Sequence, residues 1–241
     1  MALSDATRDK LKTVSVATLC TALYKRGLRN QVIQSARPLN PALPTMVGEA
    51  FTVRYMPARE DRNGIAVFQN PEHPQRKAIE TCPPGAVLVF DSRKDARAAS
   101  AGGILVSRLA ARGVAGVVTD GGFRDSHEIA ALAMPAYHVQ PSAPTNLTLN
   151  EAIAINDPIG CGDAPVFPGD VIVGDAEAVV VLPAHLADDL AAEAVEMTAY
   201  EDFVIEMVQK EGRSIVGLYP ATNPQDRKST RLNSSHVSES R

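Results

Sequence analysis

The stretch from Ala101 to Glu128, AGGILVSRLAARGVAGVVTDGGFRDSHE, constrains this chain more than any other. Gly102 and Gly103 open a segment in which Ile104, Leu105, Leu109 and Ala111 fall mostly on one helical face. Gly113 stands where a left-handed residue would close that helix. Ala115 to Thr119 is apolar and β-branched over the length of a strand, which suits a strand buried on both faces. Asp120-Gly121-Gly122-Phe123 then turns the chain. Arg124 and Asp125 therefore emerge beyond the carboxyl end of the strand, the edge at which open α/β sheets bind ligands.

The residue types gathered there have a definite chemistry. Unpaired amides at a Gly102-Gly103 helix start suit a carboxylate or phosphate. Arg124 offers a planar fork of donors that matches a carboxylate or keto-acid. Asp125 is a hard oxygen ligand for a divalent ion such as Mg²⁺, which keeps most of its waters. Local spacing alone is equally compatible with a surface turn that Arg124 and Asp125 merely solvate.

Read at full length, Gly102 to Asp125 resembles the signature of the RraA-like family, G-[DE]-L-L-A-T-x-A-x-x-R-G-V-x-G-x-V-x-D-G-x-x-R-D. The chain follows it without a gap as GGILVSRLAARGVAGVVTDGGFRD. Weaker similarity covers 47–62, 84–91 and 166–183, so the resemblance extends over most of the chain. It implies a class II 4-hydroxy-4-methyl-2-oxoglutarate aldolase on a swivelling β/β/α layered domain with helical ends. It also implies a divalent metal, Mg²⁺ or Mn²⁺, held by Asp125. Arg124 would contact the keto-acid end of the substrate, and main-chain amides near Ile104 and Leu105 would bind its carboxylate. The chain departs from the pattern at Gly103, where many catalytic members carry an Asp or Glu that touches a metal-bound water. The regulatory branch, which inhibits ribonuclease E, lacks the Asp of the Arg-Asp pair, so Asp125 favours the metal-dependent branch.

Composition narrows the alternatives. With 241 residues, 45% hydrophobic and 22% charged, the chain has the makings of one good-sized core. A net charge of −4 with scattered Lys and Arg gives no basic footprint for nucleic acid, and the absence of Trp argues against base-stacking platforms. Cys20, Cys82 and Cys161 are far apart and form no C-x-x-C, which suits a reducing cytoplasm. No apolar run is long enough to span a bilayer, and charged residues from Asp5 onward do not make a signal peptide. Neither a G-x-G-x-x-G nor a P-loop is present, so nucleotide cofactors are unsupported.

Along the chain, a helix capped by Ser4 or Asp5 is expected to about Lys12, and a second from Ser15 to Gly27. Gly48 to Met56 alternates as a strand with Phe51, Val53 and Tyr55 on one side. Arg59, Glu60 and Asp61 follow in a loop that is either solvated or a second wall of the substrate site. Ala86 to Phe90 reads as a buried strand ending at Asp91, itself either an outer-shell acid or a turn residue. Asp125 to Leu132 should be a short helix; Asp125 and Glu128 share its face, whereas His127 points to the rim. Further strands are expected at 135–139, 151–156, 171–174 and 178–182. Residues 183–212 read as one long or broken helix, acidic along its length and solvated outside. In the family this helix reaches a neighbouring subunit's active site, which makes Glu201 the candidate acid there.

From Asp226 the composition turns abruptly polar and aperiodic, and DRKSTRLNSSH resembles read-through of a sequencing adapter. Residues 226–241 are expected to be a disordered, artefactual tail behind a single domain over 1–225. Together these features and the resemblance imply an α/β lyase forming a homotrimer or a pair of trimers. It would cleave 4-hydroxy-2-oxo-dicarboxylic acids to pyruvate and decarboxylate oxaloacetate, with no membrane or nucleic-acid partner. The rivals are a non-catalytic regulator of an RNA-degrading enzyme and another 2-oxo-acid lyase or dehydratase.

Overall fold

The computed structural model describes residues 3–220, so the expectations for the tail lie outside the described residues. Two helices open the chain, α1 (Asp5–Lys12) and α2 (Val16–Lys25), each started by a serine. Ser4 accepts from the Thr7 amide and Ser15 from the Thr18 amide, which satisfies donors that a helix start leaves unpaired.

The sheet that follows is organised on one long strand. After the short β1 (Arg37–Pro38), β2 runs from Met46 to Pro57. Then come helix α3 (Pro74–Thr81), strand β3 (Val87–Asp91) and the short β4 (Ala99–Ala101). Helix α4 (Gly103–Ala111) leads to β5 (Gly116–Thr119), β6 (Gly122–Phe123) and helix α5 (Ser126–Ala130). Next are β7 (Ala136–His138), β8 (Gln140–Pro141) and β9 (Asn150–Ile155). A tight hairpin, β10 (Ile159–Cys161) with β11 (Ala164–Val166), precedes β12 (Val171–Gly174), β13 (Val179–Leu182) and the long α6 (Ala187–Glu211).

The main sheet has the order β1-β7-β5-β3-β2-β12-β13, with β9 also on β2. Strands β2, β3, β5 and β7 are parallel neighbours, and the flanking pairs are antiparallel. Each of β3, β5 and β7 is followed in the chain by one strand of a second, parallel sheet, β4-β6-β8. The turn expected at 120–123 is therefore a turn that ends in a strand: Gly122 and Phe123 pair with β4 and β8.

Alternation along the strands distributes the core. Leu88 and Phe90 of β3 pack in a cluster with Ala78, Ile79, Val106, Leu109 and Ile129 of α3, α4 and α5. Val87 and Val89 face the other way, with Val118, Ile172, Val181 and the hairpin residues Ile159, Cys161 and Val166. A third cluster joins α1, α2 and α6 to β12 and β13 through Leu19, Leu23, Val173, Val180, Leu190 and Ala194. The apolar strands thus bury both faces, as a continuous hydrophobic run requires.

Three details differ from the sequence reading. The face of α4 turned to the core is Val106 and Leu109, and Ile104 is 85% exposed. The acidic helix α6 is more than a solvated face, because Leu190, Ala191, Ala194 and Met197 are buried in a cluster with the first two helices. The β10–β11 hairpin was not expected, since three-residue strands carry no resolvable period.

Candidate functional site

The turn after β5 brings Arg124 and Asp125 back onto the start of α4. Asp125 is the residue before α5 and adopts a left-handed conformation, φ 57°, ψ 40°. Its Oδ2 accepts the Gly103 amide at 3.0 Å, and Arg124 Nε lies 3.7 Å from the same oxygen. Gly102, which precedes α4, has no side chain to cap it, so Asp125 supplies the cap from a distant part of the chain. This contact requires a glycine at 102 and is tight at 103. A Cβ on Gly102 would lie 2.8 Å from Arg124 Cγ, and one on Gly103 would lie 3.1 Å from Asp125 Cβ.

The helix start is consequently less open to an anion than the sequence implied. Gly103 gives its amide to Asp125, while the Leu105 and Val106 amides return to the Gly102 carbonyl. Ile104 keeps the first-turn amide that these bonds do not use. A helix start leaves its first four amides without a regular helical partner; here the Asp125 carboxylate takes that of Gly103, and the Gly102 carbonyl takes that of Leu105 besides its regular partner, the Val106 amide.

Beside this corner lies a cleft of about 330 Å³. Gly102, Ile104, Leu105, Arg124 and Asp125 line one side, and Ile65, Phe68, Gln75, Arg76, Thr145 and Asn146 line the rest. The sequence reading missed this second wall. Arg59 pairs with Asp61 on an exposed loop and does not line the cleft; the wall is built further along the chain. Pro74 at the first position of α3 is the one sequence signal that could have located it.

Beneath the cleft is a buried polar layer. The hydroxyls of Ser92, Ser100 and Thr119 bond to one another, and the Ser100 carbonyl accepts from Tyr55 and Gln75. Buried Asp120 accepts the amides of Ser92, Lys94 and Gly162 and so ties three loops together. Burial pushes its carboxyl above the usual range, against the three amides that lower it. Asp91 proves to be a turn residue, accepting the Arg93 amide two residues on. His127 and Glu128 are exposed on α5.

As a metal centre the corner has a sparse donor set. No group of three or more His, Cys, Asp or Glu side chains converges among the described residues. Asp125 commits Oδ2 to Gly103, which leaves Oδ1 for a cation. One carboxylate oxygen beside an open cleft fits Mg²⁺, which completes its shell with waters and substrate oxygens, and does not fit a thiolate- or imidazole-seeking ion. Glu201 lies outside the cleft of its own chain, where its carboxylate accepts from the Thr18 hydroxyl at 3.0 Å.

Comparison with known proteins gives this geometry a lineage. The family model described as RraA-like, Aldolase/RraA, matches residues 16–181. The chain belongs to the RraA-like family. A relative from Halalkalibacterium halodurans, provisionally named 4-hydroxy-4-methyl-2-oxoglutarate aldolase, is 30% identical over 191 residues, 78% of this chain and 82% of its own. The crystal structure of Streptomyces coelicolor RraAS2, described as an unusual member of the RNase ES inhibitor RraA protein family, is 26% identical with a TM-score of 0.74. That match covers 84% of this chain and 97% of the other. An uncharacterised protein from Pseudomonas syringae, 22% identical, shares the fold over 90% of this chain and 98% of its own, with a TM-score of 0.75. In this chain the Arg124–Asp125 corner lies beyond the carboxyl end of β5, a strand of the parallel part of the sheet. No helix among the described residues is long and apolar enough to cross a membrane.

Proposed function

We propose that this protein is a divalent-metal-dependent lyase that releases pyruvate from 4-hydroxy-2-oxo-dicarboxylic acids, and that it decarboxylates oxaloacetate through the same enolate. The observation that carries the reading is the Arg124–Asp125 corner, packed on two glycines and facing a cleft large enough for a small oxo-acid. The 30% identity to a relative provisionally named an aldolase supports it.

Asp125 would hold Mg²⁺ or Mn²⁺, which when bound supplies Lewis-acid polarisation of the keto group. The Ile104 amide accommodates the carboxylate of the pyruvyl end. In aldol cleavage the C4 hydroxyl loses its proton, the C3–C4 bond breaks, and that electron pair becomes the pyruvate enolate. Arg124 sets its guanidinium against the charge growing on the enolate oxygen, where fixed donors are most effective. Protonation at C3 then gives pyruvate. Gly103 has no side chain to relay the proton, so the acid–base group must come from elsewhere. Glu201 serves only if α6 of a neighbouring copy reaches the cleft, and a homotrimer or hexamer belongs to this proposal.

The second reading is a regulator that binds an RNA-degrading enzyme, favoured by the likeness to the RraAS2 structure. One assay separates them: pyruvate release from a small panel of oxo-acids, with Mg²⁺ and after chelation. Release that depends on the metal is expected. Full release after chelation would remove the metal, and no release from any substrate would favour the regulator or a different lyase.

A further inference from the structure

The far wall of the cleft holds a cation in an unusual state. Arg76 sits in the first turn of α3, where no acidic residue accompanies it. A positive charge at that end of a helix opposes the macrodipole and costs stability. Its Nε is buried without a hydrogen-bond partner, and no carboxylate of the described residues forms an ion pair with it. The guanidinium carbon lies 4.6 Å from the centre of the Phe68 ring, a cation–π contact beside the cleft.

The neighbouring side chain is held just as firmly and is just as incomplete. Gln75 is 1% exposed, and its Nε2 is committed to the Ser100 carbonyl at 2.7 Å and the Tyr55 hydroxyl at 3.1 Å. Since the Ser100 carbonyl can only accept, the amide cannot be turned over, and Oε1 is left buried without a donor. Buried polar groups are nearly always satisfied, so an unpaired donor and an unpaired acceptor on adjacent residues of one cleft point to a ligand.

We propose that Arg76 determines specificity by binding a second carboxylate at the distal end of the substrate, with Gln75 Oε1 accepting a hydroxyl on the adjoining carbon. A 2-oxo acid whose keto end lies at Arg124 would then be selected when its far end is an α-hydroxy carboxylate. This inference rests on the proposed function for the position of the keto end. The cleft carries two guanidinium groups against one carboxylate, which matches a dianion better than a monoanion.

The test is direct binding, measured by calorimetry with Mg²⁺ present, of 2-oxoglutarate and 2-oxopentanoate. These have the same chain length and differ in the distal carboxylate, and neither can be cleaved. Wild type should prefer 2-oxoglutarate by tenfold or more. Arg76→Met should bind 2-oxopentanoate as wild type does and lose the preference. Arg76→Lys should keep only part of it, because a point charge replaces a fork. The melting temperature of Arg76→Met should be unchanged or higher, since an unpaired cation leaves a helix start; a structural arginine would lower it. Retained preference in Arg76→Met, or a marked fall in its melting temperature, would overturn the assignment. Should Arg76→Met fail to fold, a preference in Arg76→Lys equal to wild type would overturn it as well. Equal binding of the two ligands by wild type, with pyruvate release intact, would remove only this inference. Binding of neither would remove the 2-oxo-acid reading with it.

Discussion

Arg124 is where the two functional readings part at the level of a single residue. If it stabilises the enolate, Arg124→Ala should lower kcat by about 10²–10³, the usual cost of losing one such donor. Arg124→Lys should recover little, and the melting temperature should hardly move because the side chain is half exposed. Equal pyruvate release from wild type and Arg124→Ala would place the active site elsewhere. Asp125 allows its two tasks to be separated. Asp125→Ala should cost about 1 kcal/mol by uncapping α4, as well as abolishing activity. Asp125→Asn keeps an oxygen for the Gly103 amide, so it should keep most of that stability while losing any response to Mg²⁺. Thermal melts with and without the metal check both expectations. The position of this pair beyond β5 was legible in the sequence because a glycine turn after a buried strand leaves few places for the next two side chains to go, whereas its chemistry was suggested only by the family resemblance. Arg76 and Gln75 were not legible, because an isolated cation and amide between prolines carry no periodicity. Only the packing of Phe68 and the commitment of Ser100 give them meaning.

Among the elements, α6 is the one whose weight was misjudged. Seven acidic residues between 188 and 206 drew attention to its outer side, yet its inner side closes the cluster shared with α1, α2, β12 and β13. Leu190→Ala should therefore cost about 2–5 kcal/mol, as expected for a fully buried leucine, and chemical denaturation would measure it. Glu201→Gln should keep its bond to Thr18 and cost well under 1 kcal/mol. Any fall in kcat of that variant, at unchanged stability, would assign α6 a part in a neighbouring copy's chemistry; unchanged kcat would remove Glu201 from the mechanism. Strands β3, β12 and β13 were readable since β-branched runs bounded by Pro, Gly and Asp admit few other structures. The pieces of the second sheet were not, being two or three residues long and held by register with one another rather than by pattern.

At the scale of the whole molecule, stability should depend on pH through His138. It is buried and stacked on Phe123, its Nδ1 has no partner, and burial pushes its pKa from 6.5 down to about 4. The unfolded chain takes up a proton at this site before the folded chain does, so stability should fall as pH drops from about 6.5 to about 4. Asp120 works in the opposite sense: burial raises its carboxyl, so what it contributes is present at low pH and declines as pH rises. His138→Gln isolates the first effect; between pH 7 and 5 its melting temperature should change less than that of wild type. All of this is carried on β2, whose first residues pair with β12, whose middle pairs with β3 and whose last residues pair with β9. That strand gives Val53 and Tyr55 to the cluster of α3, α4 and α5 and Val47 to the cluster of α1, α2 and α6, and so joins the two. A body sewn along one seam has no crease on which to fold shut over a guest. Ligand capture should be the filling of a rigid mould, seen as single-phase association whose rate rises in proportion to ligand concentration without reaching a plateau.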